Sequence, residues 1–295
     1  MMSWVATAVL AASIAAGAER DWTPEVFDYD RPARLEVADK GEPKGKLPDT
    51  RQRELVFRNL RDEEVPVLVT LPPRGKGPWP AVLLLHALGS DRQYISRDLG
   101  RALTARGFAC VALDLPNHGD RKGKPQELFV DGDPDKTYRN IVGAVMDIRQ
   151  TVDLIKERKD FDSDKGVPII GYSLGAWWGV LAGSADRRVS ALVLQGSGAG
   201  EGVTANTSGQ SGRPSGDRTF LLRYPTVRVE TAISSFAPRP LLMQNGRADP
   251  YISQEHARNL YRLAQPPKEL KWYDAGHLLP EKAATDAAEW LKKQR

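Results

Sequence analysis

The sequence predicts an α/β fold: a mainly parallel central sheet, covered by helices on both faces and preceded by an N-terminal β-hairpin. Short β-rich runs alternate along the chain with longer segments of helical periodicity. The run at residues 81–85 is apolar throughout, as is typical of a strand that is buried on both faces. Two β-rich runs, 54–58 and 65–71, flank the turn-like residues 59–62 and predict the hairpin.

The alternation after the hairpin predicts the remaining elements in order. Short apolar runs predict strands, and segments in which apolar residues recur three or four positions apart predict helices. Gly107 is expected to end the first of these helices, since glycine favours helix C-termini. The predicted strands are 81–85, 108–115, 167–171, 189–194, 240–244 and 270–273. The predicted helices are 95–106, 138–158, 174–185, 254–264 and 281–293.

The composition is that of an ordinary globular protein. The chain has 295 residues, of which 41% are hydrophobic and 27% charged, with a formal net charge of +4. Nucleic-acid-binding proteins usually gather their basic residues into a patch, whereas here both signs are mixed along the chain, so we expect no nucleic-acid partner. The one cysteine, Cys110, lies in an apolar run and is expected to be buried, and the spacings typical of zinc sites do not occur.

The first 18 residues resemble a secretory signal peptide. An apolar stretch ends in Ala16-Gly17-Ala18 and is followed by charged residues, as at a signal-peptide cleavage site. The stretch is shorter than the roughly 20 residues of a membrane-spanning helix, so we expect no stable membrane insertion. Because no Lys or Arg precedes the stretch, a retained anchor or a plain N-terminal helix is the alternative. The cleaved protein would be exported, to the periplasm or the medium.

Two further segments differ from the α/β pattern. Residues 19–50 are rich in proline, glycine and charge, and predict an N-terminal arm with little regular structure. Residues 51–295 are predicted to form one domain, which a segment at 196–236 interrupts. Residues 196–218 of this segment are rich in Gly, Ser, Thr and Asn, and residues 219–236 carry more apolar side chains. A loop of this length inside a compact domain usually has a function or lacks order. This one falls where it could form a lid over the carboxyl ends of the strands.

The strongest signal for chemistry is the pentapeptide Gly171-Tyr172-Ser173-Leu174-Gly175. It follows a predicted strand and precedes a predicted helix, which is the context that a G-x-S-x-G nucleophile turn requires. The turn is so tight that its flanking positions need residues without side-chain bulk. The serine then lies at the tip, near a helix N-terminus that favours developing negative charge. Ser173 is therefore predicted to be a nucleophile.

This pentapeptide, the segment Leu83-Leu84-Leu85-His86-Ala87-Leu88-Gly89-Ser90 and the order of elements together resemble the α/β-hydrolase superfamily. Within it, the chain most resembles bacterial dienelactone-hydrolase-like esterases. The resemblance covers residues 54–295 apart from the insertion. It implies an α/β-hydrolase fold, a Ser-His-Asp triad and a small-molecule ester as substrate, with no metal or organic cofactor.

The acid and the base of this fold follow the nucleophile in the order Asp or Glu, then His. Only His256 and His277 follow Ser173. His256 lies within a predicted helix, whereas His277 lies in a short loop after the last predicted strand, where the family has its base. Asp249 follows the preceding strand and is the predicted acid, which holds the imidazole in one tautomer. Asp274 is the alternative, but it is too near His277 in sequence for the usual geometry.

Acyl transfer also needs hydrogen-bond donors aimed at the tetrahedral oxyanion. One is predicted to be the backbone N–H of Leu174, directly after the nucleophile. The other should come from the loop after residue 85, where the family usually has His-Gly and this chain has His86-Ala87. By analogy the donor is the N–H of Leu88, with Ala87 as the alternative, and His86 supports the loop. Residues 114–121 match a D-x-P-x-H-G loop of the family and are interpreted as scaffold, since their spacing does not favour a metal site.

The sequence therefore predicts a serine esterase that works through an acyl-enzyme intermediate. A peptidase or amidase is the first alternative, since the fold alone does not decide which bond is cleaved. A non-catalytic binding protein that retained the scaffold is the second, although all three triad residue types are present in order. The oligomeric state and the acyl and alcohol parts of the substrate are not predicted.

Overall fold

The computed structural model describes residues 22–199, apart from residues 33, 45, 49 and 131, and residues 218–295. The predicted signal peptide and residues 200–217 of the predicted insertion lie outside the described residues. Within the described ranges, the helices are all too short or too polar to cross a membrane.

A central sheet runs through the molecule. Its ten strands in the described residues are β1 (Val37–Gly41), β2 (Arg51–Arg58), β3 (Glu64–Leu71), β4 (Trp79–Leu85), β5 (Ala109–Leu113), β6 (Phe161–Asp162), β7 (Ile169–Tyr172), β8 (Leu192–Gln195), β9 (Leu241–Gly246) and β10 (Lys268–Tyr273). They pair in the order β1-β2-β3-β5-β4-β7-β8-β9-β10, with β6 beside the start of β4. The pairings from β1 to β5 are antiparallel and those from β5 to β10 are parallel.

Helices cover both faces of this sheet. In the described residues they are α1 (Arg92–Thr104), α2 (Pro134–Glu157), α3 (Leu174–Ala185), α4 (Arg218–Arg223), α5 (Val229–Ala232), α6 (Gln254–Leu263) and α7 (Glu281–Lys293). Helices α1 and α7 pack on one face through residues such as Leu103 and Trp290. Helices α2 and α3 pack on the other face through residues such as Ile148 and Val180. The predicted architecture, including the β2–β3 hairpin, is confirmed.

Two helices begin earlier than their apolar periodicity predicts. Helix α1 begins at Arg92 rather than at residue 95, because the Asp91 side chain accepts a first-turn backbone N–H at 2.7 Å. Helix α2 begins at Pro134 rather than at residue 138, after Asp133, which accepts a first-turn N–H at 2.8 Å. A capping carboxylate satisfies amides that have no partner within the helix. Polar caps ahead of the apolar stripe therefore set these helix starts.

The N-terminal arm contains two short regular elements that the sequence did not indicate. Pro24–Phe27 forms one turn of 3₁₀ helix, and β1 extends the edge of the sheet by pairing with β2. Phe27 is fully buried against α2 and α3. Arg149 of α2 donates to the carbonyl of Phe27 and, at 2.9 Å, to the carboxylate of Asp28. The partner of the Phe27–Asp28 turn lies more than a hundred residues away in sequence, so local composition could not show this part of the arm.

Two parts of the predicted insertion are described: residues 196–199, which form no helix or strand, and residues 218–236, which are mostly helical. The second part holds α4, α5 and two 3₁₀ turns, Pro225–Val227 and Ile233–Phe236. Val227 and Phe236 are buried in the same core as α2 and α3. This stretch is therefore part of the packed domain, and a lid function for the insertion stays a prediction.

Candidate active site

Ser173 lies at the tip of a sharp turn between β7 and α3. Its backbone has φ +52° and ψ −112°, outside the regions that residues with side chains usually adopt. Such a conformation costs about 1–3 kcal/mol and persists where the surrounding structure enforces it. The N–H of Ser173 donates to the carbonyl of Gln195 at 2.8 Å, which ties the turn to β8. The strand, turn and helix thus hold the serine at the carboxyl end of the sheet.

The two glycines that flank Ser173 are required by close backbone packing. A Cβ on Gly171 would lie 2.3 Å from the carbonyl oxygen of Gly175. A Cβ on Gly175 would lie 2.3 Å from the carbonyl oxygen of Leu85 at the end of β4. Real Cβ atoms do not approach other atoms so closely, so helix α3 can dock on the sheet only with glycine at both positions. This is the physical basis of the G-x-S-x-G pattern in this chain.

His277 and Asp249 lie side by side in the loops after β10 and β9. Nδ1 of His277 is 2.7 Å from Oδ2 of Asp249, whose side chain is fully buried. The other oxygen of Asp249 accepts the backbone N–H groups of Tyr251 and Ile252, at 2.8 and 3.0 Å. Burial raises the pKa of the Asp249 carboxyl, but these hydrogen bonds outweigh burial and hold the pKa below its usual value. Asp249 is therefore a fixed carboxylate that can orient the imidazole.

Ser173 and His277 line the same cleft, which has a volume of about 490 Å³. The imidazole packs against Gly196, where a Cβ would come within 3.0 Å of Cε1 of His277. Among the described residues, no hydrogen bond joins the Ser173 hydroxyl to the imidazole. Catalytic hydrogen bonds are often long before substrate binds. The structure thus brings all three predicted triad residues to one edge of the sheet, with the His277–Asp249 pair already bonded.

The loop after β4 also reaches this cleft, where it presents the backbone around Leu88. The carbonyl of Ala87 is 2.8 Å from Nδ1 of His86, and the N–H of Gly89 donates to Nε2 of His118 at 2.9 Å. These bonds hold the backbone on both sides of Leu88. Leu174, at the start of α3, follows the nucleophile directly. In the described part of the chain, the N–H groups of Leu88 and Leu174 have no hydrogen-bond acceptor.

The D-x-P-x-H-G loop serves as scaffold for the loop after β4. Asp114 is fully buried and accepts from the backbone N–H of Arg92 at 2.8 Å and from the Arg92 guanidinium. The guanidinium also bonds to Asp120 at 2.7 Å, and His118 faces Gly89 instead. Asp114, His118 and Asp120 therefore do not converge on one point. In the described ranges no group of three or more His, Cys, Asp or Glu side chains could hold a metal ion.

Two tyrosines at the site were not predicted. The hydroxyl of Tyr172 donates to the backbone carbonyl of His277. The ring of Tyr251 lies edge-on to the imidazole, with centroids 5.1 Å apart. Tyr172 occupies a variable position of the pentapeptide, and Tyr251 follows Asp249 by two residues. Closeness to a predicted site residue was the one signal in the sequence that could have indicated them.

Comparison with known sequences supports a single family. The sequence profile described as "Alpha/beta hydrolase family" matches residues 82–290. The YfhR protein of Escherichia coli O157:H7 is 29% identical over 171 residues, which cover 57% of this chain and 52% of that protein. The YtaP protein of Bacillus subtilis is 28% identical over 153 residues, which cover 44% of this chain and 48% of that protein. The chain thus spans about half the length of the curated relatives it matches.

Solved structures share the fold at low sequence identity. Acetyl xylan esterase 1 from Thermoanaerobacterium sp. superposes with a TM-score of 0.70 at 18% identity, covering 92% of this chain and 91% of its own. Est1E from Butyrivibrio proteoclasticus superposes with a TM-score of 0.63 at 17% identity, covering 80% of this chain and 98% of its own. At these identities the likeness establishes the fold. Together with the profile match over most of the chain, it shows that the protein belongs to the alpha/beta hydrolase family.

Proposed function

We propose that the protein is a serine hydrolase that cleaves carboxylic esters through a Ser173-His277-Asp249 triad and an acyl-enzyme intermediate. The observation that carries the proposal is the 2.7 Å hydrogen bond between His277 and a fully buried Asp249, at the wall of the cleft that Ser173 lines. An imidazole held in this way has Nδ1–H engaged and Nε2 free to take a proton. The names of the solved structures that share the fold, which include several esterases, support the ester as the bond cleaved.

In the proposed reaction, Oγ of Ser173 attacks the ester carbonyl carbon while Nε2 of His277 takes its proton. The resulting oxyanion accepts hydrogen bonds from the N–H groups of Leu174 and Leu88. As the tetrahedral intermediate collapses, the C–O bond breaks and the imidazolium donates its proton to the leaving alcohol. Water then attacks the acyl-enzyme, with His277 again as base, and releases the carboxylic acid. Asp249 stabilises the imidazolium in both steps.

The nucleophile is tested by Ser173→Ala. This change is expected to lower kcat for p-nitrophenyl acetate by about a thousandfold or more, since the residual rate comes from binding and the oxyanion donors alone. A fluorophosphonate probe should label the unaltered protein at Ser173 and fail to label the variant. Unchanged hydrolysis by the variant would refute the assignment. Hydrolysis of peptide anilides faster than of acyl esters would favour an amidase on the same triad.

The acid is tested by Asp249→Asn with Asp274→Asn as its matched control. Asp249→Asn should lower kcat by about a thousandfold or more, because an amide favours the wrong imidazole tautomer. The Asp274 side chain is 95% exposed, and among the described residues its one ion pair is with Arg247, at 3.2 Å. Asp274→Asn should therefore leave the rate unchanged. Equal losses in the two variants would contradict the assignment of Asp249.

A further inference from the structure

Two cavities of very different size meet at Ser173. The first is the open cleft of about 490 Å³ that His277 and the loop around Leu88 also line. The second is a pocket of about 40 Å³ behind the nucleophile, between helices α3 and α6. Its walls include Ala176 and Val180 of α3 and Leu260 of α6, and apart from Ser173, Ser197 and Glu230 they are apolar side chains or glycine. The two sides of an ester bound at Ser173 therefore face unequal spaces.

The position of His277 decides which side of the ester occupies which cavity. In the proposed reaction the leaving alcohol takes its proton from the imidazole, so its oxygen must lie beside His277. His277 lines the open cleft, whereas the small pocket is lined without it. The alcohol therefore lies in the cleft, and the acyl chain points into the small pocket.

From these volumes, and resting on the proposed function, we propose that the substrate is an ester of a short acyl group with a bulky alcohol. A cavity needs about 10–15 Å³ of volume, measured in the same way as the 40 Å³ of the small pocket, to hold one water-sized group. The small pocket therefore admits an acyl chain of about two to four carbons. An acyl chain of eight carbons would have to displace side chains of the pocket wall, of which Ala176, Val180 and Leu260 are buried in the core.

The rim of the cleft indicates the chemistry of the alcohol. Three of the exposed large hydrophobic side chains of the described residues line this one cleft: Tyr94, Tyr251 and Leu278 are 43%, 50% and 68% exposed. Single exposed apolar residues are common on protein surfaces, but clustering around a cleft is typical of a binding site. The ring of Tyr251 also contacts the catalytic imidazole edge-on. The structure thus favours an alcohol that carries an apolar or aromatic face.

The test uses two esters that are constitutional isomers. In 2-phenylethyl acetate the bulky group is on the alcohol, and in methyl 3-phenylpropanoate it is on the acyl side, while the alkoxide leaving groups have similar basicity. The purified protein should hydrolyse 2-phenylethyl acetate with a kcat/KM at least about tenfold higher, the discrimination expected from a few buried methylenes. Equal rates, or faster hydrolysis of methyl 3-phenylpropanoate, would overturn the inference and leave the esterase function standing. If the protein hydrolysed neither of these isomers and also failed to hydrolyse p-nitrophenyl acetate, the proposed function itself would be overturned.

The pocket itself is tested by Leu260→Ala, with Leu103→Ala as the matched control. Leu103 is equally buried but lies on α1, away from both cavities. With p-nitrophenyl acetate, butyrate and octanoate, the unaltered protein should prefer the two shorter esters. Leu260→Ala should raise the octanoate-to-acetate ratio of kcat/KM about tenfold, and Leu103→Ala should leave the ratio unchanged. An unaltered protein that prefers octanoate would refute the short-acyl assignment, whatever the folding of the variants.

Discussion

At the scale of single residues, two buried imidazoles hold the loop that carries the Leu88 amide. Nε2 of His86 accepts the N–H of Leu115 at 3.0 Å, and Nε2 of His118 accepts the N–H of Gly89 at 2.9 Å. Because a backbone N–H can only donate, each ring must be neutral, with its proton on Nδ1. Both Nδ1 atoms then donate to a carbonyl of their own loop at 2.8 Å. The two loops are thus joined reciprocally, one imidazole from each.

Under the proposed mechanism, this arrangement predicts that His118 positions the Leu88 amide, the proposed oxyanion donor, without touching substrate. His118→Phe should lower kcat about ten- to hundredfold and leave KM nearly unchanged, since the Leu88 amide acts mainly in the transition state. His118→Gln keeps an oxygen that can accept from Gly89 and should recover much of the loss. Steady-state kinetics on a short acyl ester measures both effects. A rise in KM at constant kcat, or equal loss in the two variants, would contradict the positioning role.

Part of the site could be predicted at this scale, and part could not. Ser173 was identifiable because its turn demands glycine at fixed positions, and Asp249 and His277 because each follows a strand in a set order. The bond between His118 and Gly89 was not identifiable, because it joins two loops that are 29 residues apart in sequence. The contact of Tyr251 with His277 escaped prediction for the same reason, since it depends on how neighbouring loops pack.

At the scale of elements, the docking of α3 onto β4 explains why the nucleophile turn tolerates so little change. Gly175→Ala would bring a Cβ within 2.3 Å of the Leu85 carbonyl oxygen and 2.7 Å of that of His86. Neither backbone atom can move without displacing β4 or the loop after it. We expect a Tm lower by about 2 °C or more, since overpacking of a core costs about 1–3 kcal/mol, and a loss of esterase activity.

Gly100 is the matched control for that prediction. It lies inside α1 and is buried, but a Cβ there would be 3.8 Å from the nearest methyl group, on Thr70. Gly100→Ala should therefore be tolerated, and it should stabilise the protein by about 0.5–1 kcal/mol through helix propensity. Thermal unfolding of both variants decides the point. A Gly175→Ala variant as stable and active as the Gly100→Ala variant would show that α3 can shift.

The elements themselves were predictable where burial is uniform. The parallel strands were identifiable because helices cover both faces, so that β4, β5 and β7 are apolar runs. Helix starts were misplaced where a capping aspartate precedes the apolar stripe, as at α1 and α2. The strand β1 was missed because its side chains are mostly exposed and give no alternation of apolar and polar residues.

At the scale of the whole molecule, the parallel part of the sheet assembles the site. Leu88, Ser173, Asp249 and His277 follow β4, β7, β9 and β10, whose carboxyl ends lie at one edge because the strands run in the same direction. Side chains and backbone from distant parts of the chain, such as Leu88, Ser173 and His277, thus line one cleft. The sequence predicted the parallel direction but not the strand order. That order is a matter of which distant strands pair with each other, which no local pattern encodes.

The two buried imidazoles also link the stability of the whole molecule to pH. Burial lowers the pKa of His86 from its ordinary value to about 3, and burial also lowers the pKa of His118. Nearby cations lower these pKa values further: His118 and Arg92 act on His86, and Arg121 acts on His118. The carboxylate of Asp91 acts in the opposite sense and raises the pKa of His118. A histidine whose pKa is lower in the folded state binds a proton preferentially in the unfolded chain. Its contribution to stability is complete above the unfolded pKa of about 6.5 and is lost as the pH falls toward the folded value.

The free energy of unfolding should therefore fall between pH 7.5 and pH 5.0. An imidazole that stays neutral in the fold at pH 5.0, as His86 should, accounts for about 2 kcal/mol of that fall. Most carboxyls are ionised in both states over this range, so histidines dominate the change. Urea unfolding at the two pH values measures it, and His86→Gln should be less stable throughout but should lose about 2 kcal/mol less between them. His118→Gln should also reduce the loss of unfolding free energy between pH 7.5 and pH 5.0. If the unaltered protein and both variants lost the same free energy of unfolding between the two pH values, the inference that neutral His86 and His118 tie the loop after β4 to the fold would be wrong.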